Sequence, residues 1–204
     1  MFSFWISDFR DCADKTRIVE FAHDSLQKVC AWLSSRVWPR RYPSVEHAFK
    51  NFGMVSTDFL TVFHRHAEWK EWKVPAWCTE KFYRRFYGRT SEDVLASEKA
   101  LRKFEFHMAL VEDLLLELTR AANLICQRVR EEFDATFRIE EGLVSTVSGP
   151  YDDDSLRSHV PQYSKRETLT RFPYSGLLKF MHVRQKRDMH FGKGVRSSYL
   201  KPEE

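Results

Sequence analysis

Glycine and proline are scarce, at seven each in 204 residues, so few positions break a periodic run or force a turn. Cysteine is rarer still: Cys12, Cys30, Cys78 and Cys126 stand far apart and form no CxxC pair. That spacing speaks against a disulfide framework and against a structural zinc site, and neither a metal nor a cofactor is expected. No apolar run reaches ~18 residues, so no membrane-crossing segment is expected. The aromatic stretch Met1 to Arg10 is interrupted by Asp8 and Arg10 and lacks the basic start and apolar centre of a secretory leader. The chain therefore reads as cytosolic. Also missing are a Gly-rich phosphate loop, a GxSxG elbow and an HExxH pair, which removes the signatures of the commonest phosphate-binding, hydrolase and metalloprotease sites.

What is present is helical periodicity. Val94, Leu95, Leu101, Phe104, Met108, Val111, Leu114, Leu115, Leu118, Ala121, Ala122, Ile125, Val129 and Phe133 recur at steps of three and four, with no Gly or Pro between them. Ser91, Glu92 and Asp93 supply a start signal. The run from Ser91 to Phe133 would be roughly 65 Å long if unbroken, and a bend or break is expected near Ala96 to Leu101. A first helix is expected over Asp14 to Val37, ended by Pro39. A second begins with Ser44 as cap and continues toward Trp72, with Pro75 as its stop. Alternation in 136–148 predicts a short β-hairpin. A polar, basic crossover follows over 155–173, then a last helix from Tyr174 to His190, broken by Gly192 and Gly194, and a frayed tail over 193–204. The fold class is mainly α: one domain spanning 1–204, a bundle of four or five helices with a hairpin inserted before the last.

The net charge of +4 divides unevenly. Ser155 to Lys201 holds 11 Lys and Arg against Glu167 and Asp188, a balance of +9, which leaves −5 on the remainder. A basic segment on a mildly acidic body points to an anionic partner. Trp77, Phe82, Tyr83, Phe86 and Tyr87 interleave with Lys81, Arg84, Arg85 and Arg89 in the connection 75–89, a pattern that stacks on unpaired bases or covers the end of a bundle. Asp152 to Asp154 are consecutive and read as a solvent-facing loop rather than a cation site. His64 and His66 point to different helix faces, and His107 reads as a packed histidine. Glu112, Asp113, Glu117 and Arg120 read as surface ion pairing along the long helix.

The last helix ends in His182, Val183, Arg184, Gln185, Lys186, Arg187, Asp188, Met189 and His190. A histidine there exchanges a proton with a ribose 2′-hydroxyl or a leaving 5′-oxygen, and an arginine holds a scissile phosphate through parallel hydrogen bonds. Arg, five intervening residues, then His, on the last helix of a helical bundle, resembles the HEPN superfamily, whose signature is Arg, four to six residues, then His. The resemblance implies a metal-independent endoribonuclease or RNA-binding effector of a bacterial defence or toxin–antitoxin system, with a composite site at a homodimer interface. Arg184 would be its phosphate-binding arginine and His190 its catalytic histidine. Gln185 stands where active members commonly carry Asn, Asp or His, a departure that also admits an inactive, nucleotide-binding or antitoxin-like relative. Arg171, Lys179, Lys186 and Arg187 would hold the RNA backbone. The competing reading is a non-catalytic interaction subunit that docks a protein partner through 75–89 and the basic C-terminal part. On the catalytic reading His190→Ala abolishes RNA cleavage and leaves folding intact; cleavage that persists in that variant, or that stops with a chelator, refutes it.

Overall fold

The computed structural model describes residues 16–71, 73–82, 91–148 and 157–192. It is mainly helical, with a small antiparallel sheet, as the periodicity predicts. Helix α1 spans Glu20–Ser35, α2 Pro43–His64 and α3 Ser91–Glu132; two short helices, α4 (Lys165–Thr168) and α5 (Leu177–Val183), come late in the chain. One apolar core joins α1, α2, α3 and α5. It takes Ala22, Leu26 and Leu33 from α1, Phe52, Val55, Phe59 and Phe63 from α2, and Leu110, Val111, Leu114, Leu118 and Ala121 from α3. Phe180 and Met181 of α5 close it from the other side, both almost wholly buried. Gly53 lies where α2 meets α1: a Cβ there would stand 3.4 Å from the Leu33 side chain, in van der Waals contact.

Helix α3 runs unbroken for 42 residues, so the break expected near Ala96 to Leu101 does not occur. With neither Gly nor Pro in the run, nothing interrupts its hydrogen-bond ladder. Val94, Leu95 and Leu101 remain exposed, and burial becomes continuous only from about Phe104.

The first helix begins later than expected, because Arg17–Val19 form a strand, β1. Likewise α2 stops at His64 and the chain turns into strands β2 (Ala67–Lys70) and β3 (Ala76–Thr79). The three make an antiparallel sheet in the order β1-β3-β2, with Trp69 directly opposite Trp77 and Ile18 on its other side. Aromatic and β-branched residues facing one another across strands favour this pairing over helix. A helix-to-helix connection with a short helix is thus replaced by strand β3 over part of 75–89; Tyr83, Arg84, Arg85, Phe86, Tyr87 and Arg89 lie outside the described residues. Ser44 does not cap α2 either. Pro43 occupies the first helical turn, where its missing N–H is harmless, and the Ser44 hydroxyl donates to Glu132 Oε1 at 2.8 Å.

The expected hairpin within 136–148 is also corrected. Residues 133–141 form turns at the end of α3: Asp134 accepts from the Thr136 amide at 2.9 Å, and Arg130 donates to the carbonyls of Phe137 and Arg138. The strand that does form, β4 (Thr146–Ser148), pairs instead with β5 (Arg157–His159). Asp152, Asp153 and Asp154 lie outside the described residues, as do the aromatic N-terminal stretch, Cys12 and the tail over 193–204. The crossover is pinned to α3 by buried Asn123, which donates to the carbonyls of Val144 and Pro161 and accepts from the Val144 amide. Short as it is, α4 carries a full capping box between Ser164 and Glu167.

His107 is packed, as its setting on the long helix suggests. It is 5 % exposed and meets the His66 ring edge-on at 4.8 Å. Burial, reinforced by His66 and Arg65, pushes its pKa from 6.5 down to about 3. Between those two values the unfolded chain holds the extra proton, so stability falls as pH drops through that window. Urea unfolding at pH 7 and pH 4.5 checks this. The loss on acidification should shrink by about 2–3 kcal/mol in His107→Leu, and an equal loss in both proteins would assign the acid sensitivity to other groups.

Candidate functional site

The Arg184–His190 segment does not lie on one helix. Helix α5 ends at Val183, a single 3-10 turn covers Arg184–Lys186, and Arg187 is extended at φ −69° and ψ 150°. The spacing expected for an Arg and a His six apart on a regular helix therefore does not apply. What fixes the segment is a polar stripe on α3. Asp113, Glu117 and Arg120 follow one another at steps of four and three, so they share one helix face, and that face is buried, contrary to the surface pairing expected for it.

Asp113 receives Arg184. The Arg184 Nη1 lies 3.1 Å from Asp113 Oδ2, and both side chains are at most 2 % exposed. The amides of Phe191 and Gly192 donate to the same carboxylate at 2.6 and 3.2 Å. Burial raises the Asp113 pKa, while those amides and Arg184 pull it back toward ionisation. Burial likewise lowers that of Arg184, opposed by Asp113. The guanidinium sits 4.9 Å over the Phe106 ring. On its other side is Gly192, where an added Cβ would stand 2.6 Å from three guanidinium atoms. Only a glycine leaves that slot open.

Glu117, wholly buried, receives two cations. Arg187 donates to Oε1 at 2.8 Å, and Arg120 lies 3.5 Å from Oε2. Each of these arginines has a further carboxylate, Glu167 for Arg187 and Asp188 for Arg120, the latter at 2.7 Å. Arg120 also donates to the Met189 carbonyl at 3.1 Å. Burial pushes the Glu117 carboxyl up against the pull of both arginines. Its neighbour Tyr163, whose pKa burial and Glu117 raise well above normal, accepts from Asn51 of α2 at 3.2 Å. Three arginines and four carboxylates thus tie the end of the described chain to α3.

The structure therefore separates the residues singled out in the sequence. Arg184 and His190 do converge electrostatically, but on Asp113 rather than on an open cleft. His190 is half-buried, and its Nδ1 lies 3.1 Å from the Gly192 carbonyl, an acceptor, so Nδ1 carries the proton and Nε2 is the free base in the neutral ring. Arg187 is taken up by Glu117 and Glu167, whereas Arg171, Lys179 and Lys186 are exposed. Asp113 and Glu117 were visible in the sequence only as charges spaced three and four apart. Their burial depends on the arginines some 70 positions later, which local spacing does not encode.

Among the described residues, no group of three or more His, Cys, Asp and Glu is arranged to hold a metal ion. None of their helices is long and apolar enough to cross a membrane. No protein-family model matches the chain, and neither does any curated protein or solved structure.

Two substitutions test the strap. Asp113→Ala leaves Arg184 buried with no carboxylate and should cost about 3–5 kcal/mol in urea unfolding. Glu117→Ala should cost less, because both of its arginines keep a second acid; the reverse order would contradict the pairing described. Gly192→Ala should cost about 1–3 kcal/mol through displacement of the Arg184 guanidinium.

Proposed function

We propose that the chain is a helical RNA-binding domain, resembling HEPN proteins, that binds RNA without cleaving it. One observation carries this reading: the basic segment sorts its cations. Arg184 and Arg187 are consumed inside the fold, whereas Arg171, Lys179 and Lys186, together with Lys165 and Arg166, stand exposed. Across 157–192 eight Lys and Arg face only Glu167 and Asp188, so the exposed set is not neutralised by acids of the same segment. Solvent-facing lysines and arginines are what phosphate contacts need, and they bind through counterion release rather than base reading. Cleavage asks more. A scissile phosphate would have to displace Asp113 from a guanidinium that is 1 % exposed, and the carboxylate would repel it. The departure at Gln185 agrees with a member that holds RNA and leaves it intact. No second copy of the chain is required for this mode of binding.

Fluorescence anisotropy on a labelled single-stranded RNA, at about 50 and 200 mM salt, provides the test. Affinity should fall steeply with salt, and replacing Arg171, Lys179 and Lys186 together by Gln should reduce the log–log salt slope by about two. The RNA recovered on a denaturing gel should be full length. Absent or salt-indifferent binding would remove the RNA reading. Metal-independent cleavage that His190→Ala abolishes would instead restore the catalytic one.

A further inference from the structure

A cleft of about 260 Å³ opens between the first turn of α2, α3 and the turn that follows α4, away from the ion pairs around Glu117. Its floor is apolar, formed by Ala48 and Leu124, and its rim carries two arginines from different elements, Arg128 of α3 and Arg171. Arg128 gives one N–H to Glu131 at 2.6 Å and one to the Thr168 carbonyl at 2.8 Å, which holds its guanidinium in place and leaves other N–H groups without a partner among the described residues. Arg171 gives only its Nε hydrogen, to His47 Nε2 at 3.0 Å. Its two terminal nitrogens have no partner among the described residues, and the guanidinium lies 5.1 Å over the Phe172 ring. His47 accepts that bond at Nε2, which therefore carries no proton; burial and the nearby charges of Arg171 and Lys50 lower its pKa, against the weaker opposite effect of Glu46.

We propose that this cleft binds a small organic phosphomonoester, its phosphate on Arg171 and Arg128 and its carbon body over Ala48 and Leu124. Three features select that chemistry. Two guanidinium groups from separate elements offer donors to several oxygens of one anion, as a phosphate presents and a single carboxylate does not. The apolar floor favours an organic body over the free inorganic ion. The acceptor that anchors Arg171, Nε2 of His47, supplies no competing negative charge. Glu131 already neutralises Arg128 in part, so Arg171 carries most of the charge recognition. The proposal is independent of the RNA reading except in sharing Arg171, and a substitution on the rim separates the two.

Phenyl phosphate is the probe, followed by calorimetry and by the rise in Tm that ligand binding to the folded state produces. It should bind, inorganic phosphate should bind at least tenfold more weakly, and benzoate should bind weakly as well. Arg171→Gln should weaken phenyl phosphate at least tenfold. So should Thr170→Trp, which fills the cleft from an exposed rim position and leaves Arg171, Lys179 and Lys186 in place. RNA affinity should survive Thr170→Trp, so loss of phosphate binding there does not depend on the RNA result. Benzoate binding as tightly as phenyl phosphate would overturn the phosphate assignment. Undiminished binding in folded Thr170→Trp, or no binding at all to the wild type, would overturn the site. Competition by a 5′-phosphorylated dinucleotide, and not by its 5′-hydroxyl counterpart, would identify a nucleic-acid end as the source of the phosphate. Failure of both to compete, with phenyl phosphate bound, supports a free metabolite.

Discussion

The pairing of Arg184 with Asp113, and of Arg187 and Arg120 with Glu117, is the constraint on which the end of this structure depends. Removing a carboxylate and a guanidinium from water is costly, and mutual attraction in the interior offsets that cost only when each group stays partnered. Here the cost is incurred on α3, which would otherwise carry two acids into an apolar core. The chain after α5 must therefore bring cations to the middle of α3. That requirement explains why α5 stops at Val183 and why Arg187 turns extended: a continued helix would carry Arg184 and Arg187 on along its own axis instead of into the stripe. Backbone amides complete the match, since Phe191 and Gly192 donate to Asp113 only where the chain has left helical geometry.

A second, smaller junction is built on two histidines. His23 of α1 and His64 at the end of α2 meet Nε2 to Nε2 at 2.8 Å, and both rings pack on Trp77 of β3. One ring must donate and the other accept, so at least one is neutral. Burial, with His23 beside it, lowers the pKa of His64 and favours that state. The sheet is thereby fastened to both helices through one aromatic cluster. The α1 entry is fixed from the same side, because the Glu20 amide donates to the Pro75 carbonyl at 3.0 Å. The bundle holds one end with a histidine pair and aromatic stacking, the other with paired charges.

These two junctions mark the division between what the sequence discloses and what it conceals. The stripe from Phe104 to Ile125 is a local pattern repeated over many turns, and α3 follows from it almost to the residue. Ile18, Val19, Trp69 and Trp77 were absorbed into helices or connections because each strand is only three or four residues long. So short a run has no period of its own, and strand pairing is a non-local fact. The hairpin was misplaced for a related reason. Alternation in 136–147 is genuine, but Asp134 and Arg130 satisfy the backbone there as turns, and Val147 finds its partner across a longer excursion at Ser158. At the candidate site, the residue types were legible and their roles were not. An Arg and a His at the right spacing look the same whether the guanidinium faces a phosphate or an aspartate.

That ambiguity has a physical resolution, and it bears on what the basic segment does. A cation serves an external anion only if its partner inside the protein is weaker than the anion it would meet. Arg184 fails this condition: its carboxylate is buried with it, two amides hold the carboxylate in place, and Gly192 and Phe106 lie close against the guanidinium. Arg187 fails it twice over, through Glu117 and Glu167. Arg171 differs, being held by the His47 imidazole through one nitrogen while its terminal nitrogens have no partner among the described residues, and exposed Lys179 and Lys186 lie outside the buried network. On the proposed RNA reading, sorting by partner strength rather than by sequence motif favours Arg171 over the Arg184–His190 segment as the contact for an anion. The motif itself is then left as the strap that holds the last turn of the fold on α3.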